Sequence, residues 1–276
     1  MQFTVFGLGE AGALIAADLA AAGQRVRAYD PAGVPTPEGV ERCRDPRDAV
    51  RDAEFVLALT AAADASEALC QALDTIPATA VYADVSTGSA AAKRHLAELA
   101  AARGLPFADV ALMSIVPGNG LRTPALASGP AAAALEAALA PLGMPIEAVG
   151  ERAGDAATRK LLRSVVMKGL AALLIEALRA AVAAGFAEET WHNLVEQVTH
   201  ADEAFLARLV EGTAPHAGRR LHEMEAAAAL LSDLGVDPLM TRATVEALRR
   251  VPAEGLPPVP HVSAAPVAVE SSGGPS

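Results

Sequence analysis

Gly7-Leu8-Gly9-Glu10-Ala11-Gly12 is the first stretch whose spacing suggests chemistry. It follows a β-prone, alternating segment, Gln2 to Phe6, and opens an Ala/Leu/Ile-rich segment from Glu10 to about Ala22. Strand, glycine turn and helix in that order form the setting of a dinucleotide site. Gly7 permits the tight turn, Gly9 lets a pyrophosphate approach the backbone, and Gly12 lets helix and strand pack closely. The helix start offers N–H groups and a positive dipole end to phosphates. The competing reading is a strand–helix turn that holds no phosphate. Asp30 follows the glycines by about 20 residues, where an acid accepts from the ribose hydroxyls of NAD and repels a 2′-phosphate. It can equally cap the Pro31-Ala32-Gly33 turn. Arg25 and Arg27 are near in sequence and could meet a 2′-phosphate, so NADP stays open beside NAD.

A second group is Lys160, Ser164 and Lys168, spaced i, i+4 and i+8 along an otherwise apolar helical segment. That spacing puts them on one side of the helix. A lysine at the rim of an apolar helix is commonly a snorkelling surface charge. The functional alternative is that the stripe faces a cleft. Enclosure disfavours the ammonium, which is how a lysine becomes an acid/base near neutral pH. Two further groups stand where strands end: Thr60-Ala61 after the apolar run Glu54–Leu59, and Ser86-Thr87-Gly88 after Val81-Tyr82-Ala83. Open α/β sheets bind ligands at the carboxyl ends of their strands. Simple capping is the other reading of Ser86 and Thr87.

The elements that must position these groups alternate over residues 1–150. Short apolar strands and alanine-rich helices succeed one another to a strand at Ile146–Val149. From Gly154 the pattern is helical only. Asp155 is placed to cap a helix reaching about Ala184, and an all-apolar helix of that kind is expected to be buried in a domain or dimer. Four further helices are predicted, the last from Pro238 to Val251. The expected architecture is an α/β Rossmann-type, doubly wound domain over 1–150. An all-α domain with one long helix follows over 151–252, and a disordered tail over 253–276.

Composition narrows the function classes. A net charge of −11 argues against nucleic-acid binding. Apolar residues make up 52% of 276, yet aromatics only 3%, so much of the core must be alanine packing. Mean hydropathy is +0.30, but no run of about 18 residues lacks charge and proline, so no membrane span is expected. No basic segment precedes the first apolar stretch, so no signal peptide is expected. The two cysteines and six histidines match no metal spacing, and a reducing, cytoplasmic setting is expected.

Taken together, three motifs resemble the β-hydroxyacid dehydrogenases, relatives of 6-phosphogluconate and 3-hydroxyisobutyrate dehydrogenase. They are the glycine fingerprint, Asp84-Val85-Ser86-Thr87-Gly88, and Gly154-Asp155-Ala156-Ala157-Thr158-Arg159-Lys160. Pro124–Pro130, Lys168-Gly169-Leu170 and Arg219–Glu225 resemble a subgroup with a DUF1932-type C-terminal domain. The resemblance spans about residues 1–250. It implies an NAD(P)-dependent dehydrogenase acting on a CH–OH group of a small, carboxylated β-hydroxy substrate, with Lys160 as general acid/base. It implies substrate contacts from Ser86, Thr87, Gly88, Ser114, Ser164 and Lys168. Cofactor contacts fall to Gly7, Leu8, Gly9, Glu10, Ala11, Gly12, Asp30, Thr60 and Ala61. It also implies a homodimer through the helical domain. Two departures bear on the substrate: Ser164 stands where asparagine is usual, and Met113-Ser114-Ile115 replaces Ser-Gly-Gly. Lys168 is expected either to bind an anionic substrate group or to pair with Glu176. Reduction of a C=N bond and a non-catalytic, cofactor-binding sensor or scaffold are the competing functions.

Overall fold

The structure, a computed structural model, describes residues 1–260. The chain forms two compact units, Met1–Val166 and Met167–Ser276. The last predicted segment, the tail over 253–276, lies mostly outside the described residues.

The first unit is built on eight strands: β1 (Gln2–Phe6), β2 (Arg25–Tyr29), β3 (Val40–Arg42), β4 (Phe55–Ala58), β5 (Val81–Asp84), β6 (Phe107–Leu112), β7 (Ala125–Ser128) and β8 (Ile146–Ala148). They form one sheet in the order β3-β2-β1-β4-β5-β6-β7-β8. Neighbours are parallel except β6 and β7, which run antiparallel with Asp109 opposite Ser128. Helices α1 (Glu10–Ala21), α2 (Pro46–Val50), α3 (Ala65–Ala72), α4 (Ala90–Ala101) and α5 (Ala132–Leu139) connect the strands. Residues of β1 alternate between two cores. Phe3 and Val5 join Ile15, Leu19 and Leu57 on one face. Phe6 joins Val50, Val56, Leu69 and Tyr82 on the other. A parallel sheet covered on both faces requires this, which explains the unbroken apolar run in β4.

Strand order reverses at β1, since β2 lies on one side of it and β4 on the other. That reversal is a topological switch point, and it puts the ends of β1, β2 and β4 around one crevice.

Helix α6 (Asp155–Ala184) has 30 residues and runs from the first unit into the second. The second unit continues with α7 (Ala187–Thr199), α8 (Glu203–Glu211), α9 (Ala217–Asp233) and α10 (Leu239–Glu254). Helix α10 passes through Pro252 before stopping at Gly255, whose φ of +71° suits glycine. Glu176 of α6 is buried and caps α10: its carboxylate accepts from Met240 N at 2.8 Å, Thr241 N at 2.9 Å and Thr241 Oγ1 at 2.6 Å. Of the two partners weighed for Lys168, an anionic substrate group or Glu176, the second is engaged instead as a cap by three donors.

The start of α6 also differs from expectation. Asp155 is the first helical residue, and its carboxylate is held by Arg152 rather than by the helix N–H groups. The cap comes from the sheet. Asp109 Oδ2 accepts from Gly154 N and Ala157 N, both at 3.1 Å. Ser128 Oγ accepts from Ala156 N at 2.9 Å. Gly154 has φ +96°, and a Cβ there would stand 2.8 Å from the Ala90 carbonyl oxygen. Glycine is thus required twice over, for its conformation and for the close approach of α6 to the start of α4. The apolar face of α6 is open here: Leu162, Val165 and Val166 are each about two-thirds exposed. Of the two expected settings, burial in a domain or in a dimer, the first is not found for this face, which no element of the first unit covers.

Candidate dinucleotide and catalytic site

The glycine turn after β1 has the geometry a nucleotide needs. Gly7 has φ +87°, and a Cβ would lie 2.6 Å from the Leu59 carbonyl oxygen. A Cβ on Gly12 would lie 1.9 Å from the Gly7 carbonyl oxygen, so this position admits only hydrogen. Gly9 differs: a Cβ there meets nothing within 4 Å. Its bare backbone faces open space, which suits the approach of a pyrophosphate rather than chain packing. Leu8 is buried, and its N–H donates to Asp30 Oδ2 at 2.6 Å, tying the turn to the end of β2. Asp30 Oδ1 accepts from Ala32 N at 2.7 Å. Asp30 therefore does cap its own turn, and it also stands in the crevice.

That crevice has a volume of about 460 Å³ and is lined by Gly7, Gly9, Tyr29, Asp30, Thr60 and Ala61, among others. Such a size suits a small-molecule site. Thr60 Oγ1 is buried with no hydrogen-bond partner among the described residues. A buried hydroxyl without a partner is costly unless a ligand completes it. The open Gly9 backbone, the Thr60 hydroxyl and the Asp30 carboxylate all fit a dinucleotide. Glu10 and Ala11 begin α1 beside them, with Glu10 exposed in the first turn.

The two arginines weighed for a 2′-phosphate are elsewhere. Arg25 starts β2, opposite Gln2 at the amino end of β1. Arg27 is held by Glu41 at 3.1 Å and Asp48 at 3.0 Å. A strand's amino end is the wrong end for a ligand in this sheet. Arg42 instead braces the loop after β2, donating to the carbonyl oxygens of Asp30, Ala32 and Val34.

A second group gathers after β5. Lys160 Nζ, on the second turn of α6, donates to Thr87 Oγ1 at 3.1 Å. Lys160 is half-buried and Thr87 exposed. The bond joins residues 73 positions apart. Ser86, expected to contact substrate, is buried, and its hydroxyl donates to Asp84 Oδ2 at 3.0 Å. Its side chain shapes the loop from beneath, leaving Thr87 and Gly88 on the open side. Ser114 is exposed in the loop after β6, and Arg163 of α6 donates to the preceding carbonyl, that of Met113. Ser164 is half-buried one turn beyond Lys160. Lys168 is exposed in the second unit.

Sequence reasoning missed the residues beneath this group. Lys93 of α4 is 1% exposed. Its Nζ lies 2.7 Å from Asp84 Oδ2 and 3.2 Å from Asp109 Oδ1. It also donates to the carbonyl oxygens of Asp84 at 3.0 Å and Ser86 at 2.6 Å. A signal was available. The chain has 22 basic residues, and only Lys93, Lys160 and Lys168 are lysines. A chain that otherwise uses arginine keeps a lysine where a compact ammonium is needed. Lys93 also falls on the buried stripe of α4 with Leu96 and Ala100.

The comparisons with known proteins concern the family and the fold. Residues 2–119 match the family described as the NAD binding domain of 6-phosphogluconate dehydrogenase, and residues 181–251 match DUF1932, a domain of unknown function. A conserved hypothetical protein from Sinorhizobium meliloti 1021 is 31% identical, with 91% of this chain and 88% of that one covered and a TM-score of 0.61. The chain belongs to the 6-phosphogluconate dehydrogenase-like family. Its N-terminal part is the NAD binding domain of that family, and the DUF1932 domain is its C-terminal part. An uncharacterised 28.5 kDa protein from Methanothermus fervidus is 29% identical over 109 residues, which span 40% of this chain and 43% of that protein. The fold of this family member is also that of an imine reductase from Myxococcus stipitatus in complex with NADP+. That likeness has 19% identity, 92% and 95% coverage and a TM-score of 0.78. No helix among the described residues is long and apolar enough to cross a membrane. Nor does any group of three or more His, Cys, Asp or Glu among them form a metal site.

Proposed function

We propose that this protein transfers a hydride between a nicotinamide cofactor and a carbinol carbon of a small, carboxylated β-hydroxy compound. The observation that carries the reading is the Lys160–Thr87 pair, set after β5 in a chain whose neighbouring crevice fits a dinucleotide. The nicotinamide supplies the hydride acceptor or donor when bound. Gly9 and the start of α1 hold the pyrophosphate on backbone N–H groups, while Gly7 and Leu8, whose N–H groups bond Tyr29 and Asp30, shape the turn around it. Asp30 meets the adenosine ribose, which favours NAD over NADP, and Thr60 and Ala61 border the cofactor.

Lys160 takes the hydroxyl proton of the substrate at Nζ as the carbonyl forms, and returns it in the reverse direction. Thr87 orients Nζ, which acts as the neutral amine when it takes the proton and as the ammonium when it returns it, and with Gly88 it borders the substrate. Ser114 and Ser164 contribute further polar contacts, and Lys168 meets an anionic group of the substrate. Fixing the reacting atoms in register is the site's largest contribution. We further propose that the protein works as a homodimer through the helical domain. The exposed apolar residues of α6 and α7 support that partner.

Lys160→Ala should retain cofactor affinity and lose turnover by about two to four powers of ten, the range of a missing general acid/base. Unchanged turnover would remove Lys160 from its role. Reduction of a C=N bond is a second reading, supported by the likeness in fold to imine reductases. Lys160 would then supply a proton to the imine nitrogen as hydride reaches its carbon. Assay of cyclic imines beside β-hydroxy acids, with both cofactors, separates the two. Binding of cofactor without turnover on either panel would favour a sensor or scaffold.

A further inference from the structure

Lys93, Asp84 and Asp109 form a buried cluster that the proposed reaction does not use directly. One cation faces two carboxylates, each no more than 1% exposed. The second negative charge has its own compensation. Asp109 Oδ2 accepts from two N–H groups at the start of α6, where the helix dipole is positive. Ser128 adds a third leg, donating to Asp109 Oδ2 at 3.2 Å and accepting from Ala156 N. On its other side the cluster holds the loop after β5: Lys93 Nζ grips the Asp84 and Ser86 carbonyls, and Asp84 receives the Ser86 N–H and hydroxyl. The loop therefore presents Thr87, and α6 presents Lys160, from opposite ends of one buried cluster.

We propose that Lys93, through Asp84 and Asp109, is the positioning residue that sets Lys160 against Thr87. Lys93 touches neither substrate nor cofactor. It fixes the loop and the helix start in a common register, so a displacement at Asp109 is passed to Lys160 within two turns of rigid helix. A buried ion pair of this kind is weak evidence for added stability. Its geometry, spanning the two elements that carry the site, is what distinguishes it from a core salt bridge. The inference rests on the reading of Lys160 as acid/base, but its test is spectroscopic and needs no substrate.

With three lysines in the chain, ¹³C-lysine labelling gives three side-chain signals, each assignable by a Lys→Arg variant. Asp109→Asn keeps the shape and removes the charge. Lys93→Met/Asp84→Asn removes one charge of each sign. Ser128→Ala leaves every charge in place and deletes one cap. In each folded variant the Lys160 signal and its pH titration should be displaced from wild type, while those of exposed Lys168 stay. NADH binding, followed by fluorescence, should be retained. A Lys160 signal unchanged in Ser128→Ala and in either charge variant would overturn the proposal, leaving the cluster as a core ion pair. A displaced signal with undiminished turnover would support the link and count against the acid/base reading of Lys160 instead.

Discussion

At the scale of the residue, the three glycines of the turn are not equivalent, and substitution separates them. Gly9 has φ −62° and ψ −171°, which any residue adopts, and nothing lies near a Cβ built there. Gly9→Ala should therefore fold with stability within about 0.5 kcal/mol of wild type. It should bind NAD(P) at least about tenfold more weakly, which corresponds to about 1.4 kcal/mol. A Cβ on Gly12 would overlap the Gly7 carbonyl. Gly12→Ala should cost about 1–3 kcal/mol or more in the protein without cofactor, the price of overpacking. Chemical denaturation and cofactor titration on the same two variants test this. A Gly9→Ala protein with wild-type affinity would place the pyrophosphate elsewhere. Asp30 shows a related lesson: the two roles weighed for it are compatible. One carboxylate closes its own turn and fastens the Leu8 N–H while standing in the crevice.

At the scale of the element, two of the long helices, α6 and α10, are started by a side chain distant in sequence. Asp109 caps α6 across 45 to 48 residues, and Glu176 caps α10 across 64 and 65. The alternating pattern of residues 1–150, the glycine turn and the stop before Gly185 were legible because period and turn chemistry are local. These caps were not, because nothing local in Asp109 or Glu176 says which helix end folds onto it. Asp155 looked like the local cap and is engaged by Arg152 instead. Lys93 sat in an alanine-rich helix with no partner in reach of its own sequence. Glu176 yields a pH prediction. Burial pushes its carboxyl up, but the Thr241 hydroxyl and the Met240 and Thr241 N–H groups, with Arg242, outweigh that and leave the pKa lowered. A folded pKa below the unfolded value of about 4.3 adds stability that is complete above that value. That stability is lost as pH falls through the folded one. Glu176→Gln should be less stable by about 1–3 kcal/mol at pH 7. The gap from wild type should narrow as pH drops below about 4. Guanidinium unfolding across pH 3 to 7 measures it, and a gap independent of pH would contradict the charged cap.

At the scale of the whole molecule, the two units differ in how they bury apolar surface. The first encloses its sheet between two cores. In the second, α7 and α8 have no buried residue. Trp191, Val195 and Val198 follow i, i+4, i+7 along one face of α7, and all are exposed, at 52%, 43% and 53%. Leu206 and Leu209, at i and i+3 on α8, are exposed as well. Contiguous apolar faces on this scale mark interaction surfaces rather than ordinary exposure. Covering them needs a large apolar partner, and a second copy of the chain brings the same faces in a self-complementary arrangement. The protein should therefore sediment as a dimer at micromolar concentration, with a Tm that rises with protein concentration. Val195→Asp places a charge in the middle of the α7 stripe and should shift the population to monomer. Leu162→Asp should do the same on the exposed face of α6, where Leu162 is 65% exposed. NAD(P) binding should survive both changes, since the crevice after β1 and β4 is lined entirely by residues of the first unit. Sedimentation velocity with cofactor titration on the same samples decides the matter. A wild-type monomer, or a dimer indifferent to both aspartates, would show that these faces are covered by something other than a second copy.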